Sequence, residues 1–387
     1  MAEVFKGWFY KKKNRSIIFQ VIVFLLVVYL GAFFFNNAAY NLKKQGIAYG
    51  FDFLTQEAGF PIGESVIDYS PADNYGHALW TGLLNTLKVA LIGNILAAFL
   101  GTFIGIARLS KNWLVSRLSL FYIESLRNIP LLLQLFFWYF VIADILPIVR
   151  EALHPLPGVF LSNRGLVLPI LKPDPIFAVM AWGLLAAIVL IVLVLHFGKK
   201  YQDKTGRSIP VVKISVALFI GLPLAIWFIG GAPTALELPK PGRFNISGGY
   251  TLSPEIMALL LGLVLYTAAF IAEVVRAGIL SVKKGQTEAA MSLGLKPRHV
   301  LRLVILPQAL RVIVPPLTSQ LLNLTKNSSL AVAIGYPDFV SVSNTTLNQT
   351  GQAIECIFLI IVVYLTTSLL TSLFMNWYNK NIALVER

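Results

Sequence analysis

Two acid–base pairs, one lysine and a cluster of short polar side chains stand inside otherwise apolar stretches of this chain. Glu124 and Arg127 lie three residues apart, and Glu273 and Arg276 repeat that spacing in a later stretch. On a helix an acid and a base at i, i+3 share a face, so each pair is placed to neutralise itself. An ion left in hydrocarbon is costly and faces protein or water. Such pairs read first as packing or interface contacts, and second as parts of a gate. Lys326 has no acid within one turn, and Asn323, Thr325, Asn327, Ser328 and Ser329 surround it. A polar cluster of this kind lines an aqueous path or a helix interface, because lipid satisfies none of it. Asn323 and Asn327 share a helical face, whereas 326 to 329 go round a full turn. They converge on one ligand only if the helix is broken there.

Enzymatic signatures are missing from the sequence. There is no G-x-x-x-x-G-K-(S/T) loop to cradle phosphates; "HFGKK" lacks the first glycine and the hydroxyl residue. G-x-S-x-G, H-E-x-x-H and paired carboxylates in a soluble setting are also missing. The single cysteine, Cys356, sits in an apolar run and has no intrachain partner. His77, His154, His196 and His299 are too scattered for ligand spacing. The expectation is therefore no catalytic residue, no metal site and no cofactor on this chain. Any nucleotide chemistry belongs on a separate subunit.

The elements that carry these residues follow from composition. Of 387 residues, 57% are hydrophobic and 13% charged, about half the charged share of soluble domains. Long apolar runs fall at 17–35, 89–107, 176–197, 214–232 and 357–377. Weaker runs at 118–143, 256–275 and 312–335 bring the expectation to about eight membrane-spanning helices in an all-α polytopic bundle. With the N-terminus inside, the inner segments hold 22 Lys and Arg and the outer segments 7. That asymmetry places both termini in the cytoplasm. It also assigns the net charge of +14 to inner loops, so no nucleic-acid partner is expected. Lys326 then lies about 22 Å along its helix from the inner end, in the outer half of the membrane.

The first apolar run is longer than a cleaved signal and lacks a good cleavage site, so it reads as a retained anchor. Residues 1–78 form that helix and an extracytoplasmic loop. The loop, from 36 to 78, is acidic, with Asp52, Glu57, Glu64, Asp68 and Asp73, and reads as a solvated linker rather than a cap. Residues 79–378 form the main transmembrane domain with an insert near 144–253, and 379–387 a cytoplasmic tail.

One inner segment differs from the others. In "KKGQTEAAMSLGLKPRHVLRLVILPQAL", residues 283–310, Thr287 reads as an N-cap with Glu288 in the first turn. Gly294 closes this helix in the left-handed conformation, and Pro297 opens a second one that runs to Pro307. Ala289 and Ala290 leave bare backbone that a partner could approach closely. The plainer reading is a basic inner loop with a surface helix.

The spacing Glu288-Ala289-Ala290, Gly294, Val304, Leu306-Pro307 resembles the "EAA" signature of ATP-binding-cassette importer permeases, with Val304 where the family usually has isoleucine. "YTAAFIAEVVRAGILSVKKGQTEAA", "LTKNSSLAVAIGYPDF" and "FYIESLRNIPLLLQLFFWY" resemble the polar-amino-acid branch. The extra first helix, the outer loop and the insert look like the larger permeases of general L-amino-acid importers. The resemblance implies a type I importer-like bundle working by alternating access. It makes Gly285, Gln286, Glu288, Ala289, Ala290, Gly294, Val304, Leu306 and Pro307 a coupling loop that docks on an ATPase subunit. The same resemblance puts Asn323, Lys326, Asn327, Ser328 and Ser329 along the substrate path. Implied partners are a second, homologous permease forming a heterodimer, two ATP-binding subunits carrying ATP-Mg, and a periplasmic amino-acid-binding protein. Membrane lipid surrounds the bundle, and an amino acid is the cargo. The competing readings are an ion- or proton-coupled secondary transporter and, behind it, a channel. The first would need unpaired acids in matched broken helices and the second a filter sequence.

Overall fold

A computed structural model describes residues 12–382 except 45, 47, 48, 207, 208, 243 and 244. The end of the expected tail, 383–387, and the first eleven residues lie outside it. Internal contacts divide the chain into two units: one up to Trp138 and again from Ala258, the other Tyr139–Met257.

The first unit begins with helix α1, Lys12–Lys44. None of its apolar stretch Arg15–Asn37 is buried, and a helix apolar on every face with no protein around it has lipid as its solvent. Helix α2, Tyr75–Arg108, is capped by Asn74, whose side chain accepts from His77 N–H at 2.8 Å. Its buried face carries small residues about four apart, among them Ala78, Gly82, Ala97, Gly101 and Gly105. A methyl group at Gly101 would come within 2.6 Å of Ile271 and 2.8 Å of the Ala268 carbonyl. Small residues of this kind let membrane helices approach backbone to backbone, and dispersion then replaces the missing hydrophobic drive. Gly101→Val is expected to destabilise the bundle by about 1–3 kcal/mol through overpacking. A thermal-shift assay of the purified chain measures this.

Helix α3, Trp113–Asn128, and helix α4, Leu131–Phe140, meet at a bend of 104°. The expected single span at 118–143 is thus broken at Ile129-Pro130. Proline has no N–H to continue the ladder, and Gln134 fills the gap. Its Nε2 donates to the carbonyls of Leu126 at 2.9 Å and Ile129 at 3.0 Å. Helix α7, defined below, follows the second unit.

The outer loop corrects the linker expectation. Residues 49–74 fold onto the outer ends of the helices, with Phe53, Ala58 and Phe60 buried beside Tyr75, Leu79, Phe339 and Cys356. Gly50 N–H donates to the buried Glu355 carboxylate at 2.7 Å, and Lys88 pairs with Glu64 at 2.5 Å. Widely spaced aromatic residues in an acidic loop supply the anchors that its charge content hides.

In the second unit, strands β1 (Leu153–Leu156), β2 (Val159–Ser162) and β3 (Gly165–Leu168) form an antiparallel sheet with β8 (Tyr250–Leu252), in the order β1-β2-β3-β8. Two further ribbons pair β4 (Ile170–Leu171) with β5 (Leu236–Glu237) and β6 (Lys240–Pro241) with β7 (Ile246–Ser247). Hydropathy alone did not foresee these strands, because each is too short to form a run. Helix α5, Pro175–Thr205, and helix α6, Val211–Ile229, form an antiparallel hairpin.

The chain returns through α7 (Pro254–Leu280), α8 (Lys284–Ser292), α9 (Pro297–Val300), α10 (Leu306–Asn327), α11 (Phe339–Thr350) and α12 (Ala353–Ile382). Among the described residues, six helices are long and apolar enough to span, and the bent α3–α4 pair makes a seventh. The remaining expected span is the shorter apolar helix Lys213–Ile229. The architecture is a largely helical polytopic bundle with a small sheet in its insert.

Candidate functional site

The 283–310 segment is a bent pair of short helices. Helix α8 starts three residues before the expected Thr287, behind Lys283, with no side-chain cap. Gln286 N–H reaches the Lys283 carbonyl at 3.0 Å, so Gly285 and Gln286 lie in the first turn. Gly294 has φ +80. Its N–H bonds the Met291 carbonyl at 2.9 Å, and Leu295 N–H bonds that of Ala290 at 3.2 Å. These are the two crossed bonds of a Schellman stop. Pro297 then occupies the first turn of α9, as expected.

Two details differ from expectation. Helix α9 does not stop at Pro307: a π turn over Leu301–Ile305, containing Val304, passes directly into α10, where Leu306 and Pro307 begin the helix. A wide turn removes the clash between a proline ring and the carbonyl four residues earlier. Ala290 is only 5% exposed, as is Val300 at 1%, on elements that pack together. Ala290 therefore closes the bend from inside. The face left open carries Glu288, Ala289, Met291 and Leu293, the last 83% exposed.

Of the two acid–base pairs, one forms. Arg276 grips Glu273 with both nitrogens of its fork, Nε–Oε2 at 3.0 Å and a second contact at 2.5 Å. Glu124 and Arg127 make no ion pair with each other among the described residues. The Arg127 guanidinium instead lies 5.0 Å over the Phe270 ring of α7, a cation–π contact. Arg127 and Arg108 also act electrostatically on Glu273. Three cations from α2, α3 and α7 therefore serve one carboxylate, and Glu124 is left exposed.

The lysine cluster sits at a change of helix type. Helix α10 ends at Asn327, and a 3-10 helix follows over Ser328–Ile334. The side chains separate by face. Ser328 is buried and donates to the Thr325 carbonyl at 2.8 Å, while Thr325 accepts from Asn94 of α2 at 3.1 Å. Ser329 donates to the Lys326 carbonyl at 2.8 Å. Asn323 and Lys326 are exposed at i, i+3, and Asn327 is half-buried beside them. The five residues thus do not converge on one point of this chain.

The sequence reading missed a buried, hydrogen-bonded aspartate in the outer half. Asp338 is 1% exposed. It caps α11 by accepting from Ser341 N–H at 2.8 Å, and it accepts from the Tyr364 hydroxyl of α12 at 3.2 Å. Adjacent residues of α2 hold the same segment. Thr86 Oγ1 accepts from Phe339 N–H at 2.9 Å, and Asn85 donates to the Pro337 carbonyl at 2.9 Å. Asn85 also donates to the Glu64 carbonyl of the outer cap at 2.7 Å. Burial pushes the Asp338 carboxyl up to about 7, against hydrogen bonds that pull it down. An aspartate just before a helix was the available signal.

Comparison with known proteins decides the class. Residues 204–384 match the family described as the binding-protein-dependent transport system inner membrane component. The chain is 48% identical to the general L-amino acid transport system permease protein AapQ of Rhizobium johnstonii, over 99% of this chain and 96% of that protein. It is 50% identical to the putative amino-acid ABC transporter permease protein YhdX of Escherichia coli, over 96% and 95% of the two chains. To the glutamate/glutamine/aspartate/asparagine transport system permease protein BztB of Rhodobacter capsulatus it is 41% identical, over 98% and 96%. The chain belongs to the ABC amino acid permease family. The permease is thus a multi-pass transport subunit and not an enzyme. Its exposed Lys326, on the face shared with Asn323, is the cation to test for a role in translocation. Lys326→Met is expected to cut uptake about tenfold or more while leaving the membrane level unchanged, since no ion pair among the described residues holds Lys326 in place. Paired uptake and immunoblot measurements check this.

Proposed function

We propose that this permease carries polar L-amino acids into the cytoplasm by alternating access. The energy comes from ATP-Mg bound by separate ATPase subunits that grip the 283–310 corner. The supporting observation is the form of that corner. A Schellman stop at Gly294 and the buried Ala290 fix its bend, while Met291 and Leu293 present apolar surface outward. An exposed apolar patch on a rigid charged loop marks a protein contact. The π turn runs without a break into α10, so a push on the corner is delivered along the helix that carries Lys326.

A second permease of like fold, two ATP-binding subunits and a solute-binding protein outside the membrane complete the transporter in this reading. The bacterial inner membrane is its location. The relatives' names support amino acids as cargo. Leu293→Cys, treated with a short bifunctional cross-linker in membranes, is expected to capture the ATP-binding subunit. Ala290→Cys, facing inward, is expected to capture little. No capture at Leu293 or Ala289 would end this reading of the corner. Uptake into vesicles that persists without internal ATP would end the ATP-driven reading and favour ion coupling.

A further inference from the structure

The insert contains a cavity whose lining shares no residue with the 283–310 corner or the Lys326 cluster. It lies between α5 and α6 at the basic end of the hairpin, with a volume of about 470 Å³. Val194, Phe197, Ile209 and Ile214 form apolar walls, and Lys200, Tyr201 and Lys204 stand along one side. Gly198 makes the close helix approach possible, since a methyl there would meet Val211 at 3.0 Å.

Lys200 and Lys204 are at i, i+4 on one helical face, and neither forms an ion pair among the described residues. Segment 198–213 holds five Lys and Arg against one acid, Asp203, so the cations are not locally neutralised. Depth identifies the occupant. The apolar run of α5 ends near Phe197, so Lys200 and Lys204 lie about 4.5 and 10.5 Å further along the axis. Lys200 falls within the headgroup layer of about 5–8 Å that borders the hydrocarbon core, and Lys204 stands just beyond it, where its long side chain can reach back to a phosphate. An apolar pocket open at the core boundary, with two free ammonium groups at headgroup height, has the chemistry of an anionic lipid. A free phosphate would leave the apolar walls empty, and a zwitterionic lipid would leave the cations uncompensated.

We propose that this cavity binds an anionic phospholipid of the cytoplasmic leaflet, its phosphate on Lys200, Lys204 and the Tyr201 hydroxyl and the start of an acyl chain against Phe197, Ile209 and Ile214. Basic pockets between membrane helices on this side take such headgroups.

The test is native mass spectrometry on the full-length chain purified in its membrane complex, with phosphatidylglycerol and phosphatidylcholine added in equal amounts. The wild type is expected to retain phosphatidylglycerol about tenfold better. The double variant Lys200→Gln, Lys204→Gln is expected to lose that preference. Ile214→Trp fills the apolar wall and leaves the lysines intact; it is expected to lose both lipids. Lys213→Gln, which removes a nearby cation outside the cavity, is expected to behave as wild type. The proposal is overturned if Lys213→Gln costs as much as the double variant, which would mean diffuse charge attraction. It is equally overturned if millimolar inorganic phosphate displaces the lipid, or if the unmodified protein retains both lipids alike. The last two readouts need no variant to fold.

Discussion

Gly294→Val is expected to lower ATP-driven uptake by about tenfold or more, while the amount of permease in the membrane stays within about twofold. The cause is backbone conformation. Gly294 sits at φ +80 with no atom within 4 Å of where a Cβ would project, so no steric clash stands in the way of a side chain. A β-branched residue in the left-handed region costs on the order of 1–3 kcal/mol. The cheapest escape is to abandon the crossed bonds to Met291 and Ala290. The corner then opens and Leu293 loses its fixed direction. Since 1.4 kcal/mol is about a factor of ten in any docked population, coupling fails before folding does. Asparagine tolerates the left-handed region best among residues with a side chain. Gly294→Asn should therefore retain more uptake than Gly294→Ala, and Gly294→Ala more than Gly294→Val. Equal activity across the series, measured in vesicles with matched permease levels, would remove the corner from the coupling mechanism.

Asp338→Ala is expected to be the most destabilising single polar change in the outer half, by about 2–4 kcal/mol. It deletes the cap of α11, about 1 kcal/mol, and strands the Tyr364 hydroxyl without its acceptor, about 1–3 kcal/mol. Asp338→Asn keeps the oxygen that accepts from Ser341 N–H and turns the other position into an amide N–H that the Tyr364 hydroxyl accepts after rotating, so it should cost far less. The pair also predicts a pH effect. Asp338 moves from an ordinary value of 3.8 up to about 7 in the folded chain because burial disfavours its charge. Between those values the folded state holds a proton that the unfolded state has released. Its stabilising contribution is thus complete below about pH 4 and declines as pH rises through 7. Thermal denaturation of the wild type should show this loss between about pH 4 and 7, and Asp338→Asn should lose less over the same window. A wild-type slope unchanged in Asp338→Asn would assign the pH dependence to other groups.

Asp338 also shows why the outer half was hard to read in sequence. Its partners are Tyr364, Thr86 through Phe339, and Asn85 through Pro337. They come from two distant parts of the chain, α2 and α12, and no local spacing connects them. The outer cap escaped notice for a related reason: Phe53 and Phe60 have their apolar partners Phe339 and Cys356 roughly 280–300 residues away. Glu124 and Arg127 had the right spacing for a pair, yet the guanidinium found Phe270 on a neighbouring helix. Spacing says which groups can meet, and competition among neighbours says which do. Ala290 followed the same rule: small size marked a close approach, but that approach is made by its own chain.

The sequence by itself determined what depends on local runs and local backbone. Apolar length identified the spanning helices, and Gly294 and Pro297 located the bend, because these follow from solvent transfer and from the φ preferences of single residues. Only the tertiary structure decided which acid kept its base, which alanine faced inward, how the outer loop folded and where an aspartate could stay buried. Those outcomes depend on partners distant along the chain, and their energies exist only once the helices have packed.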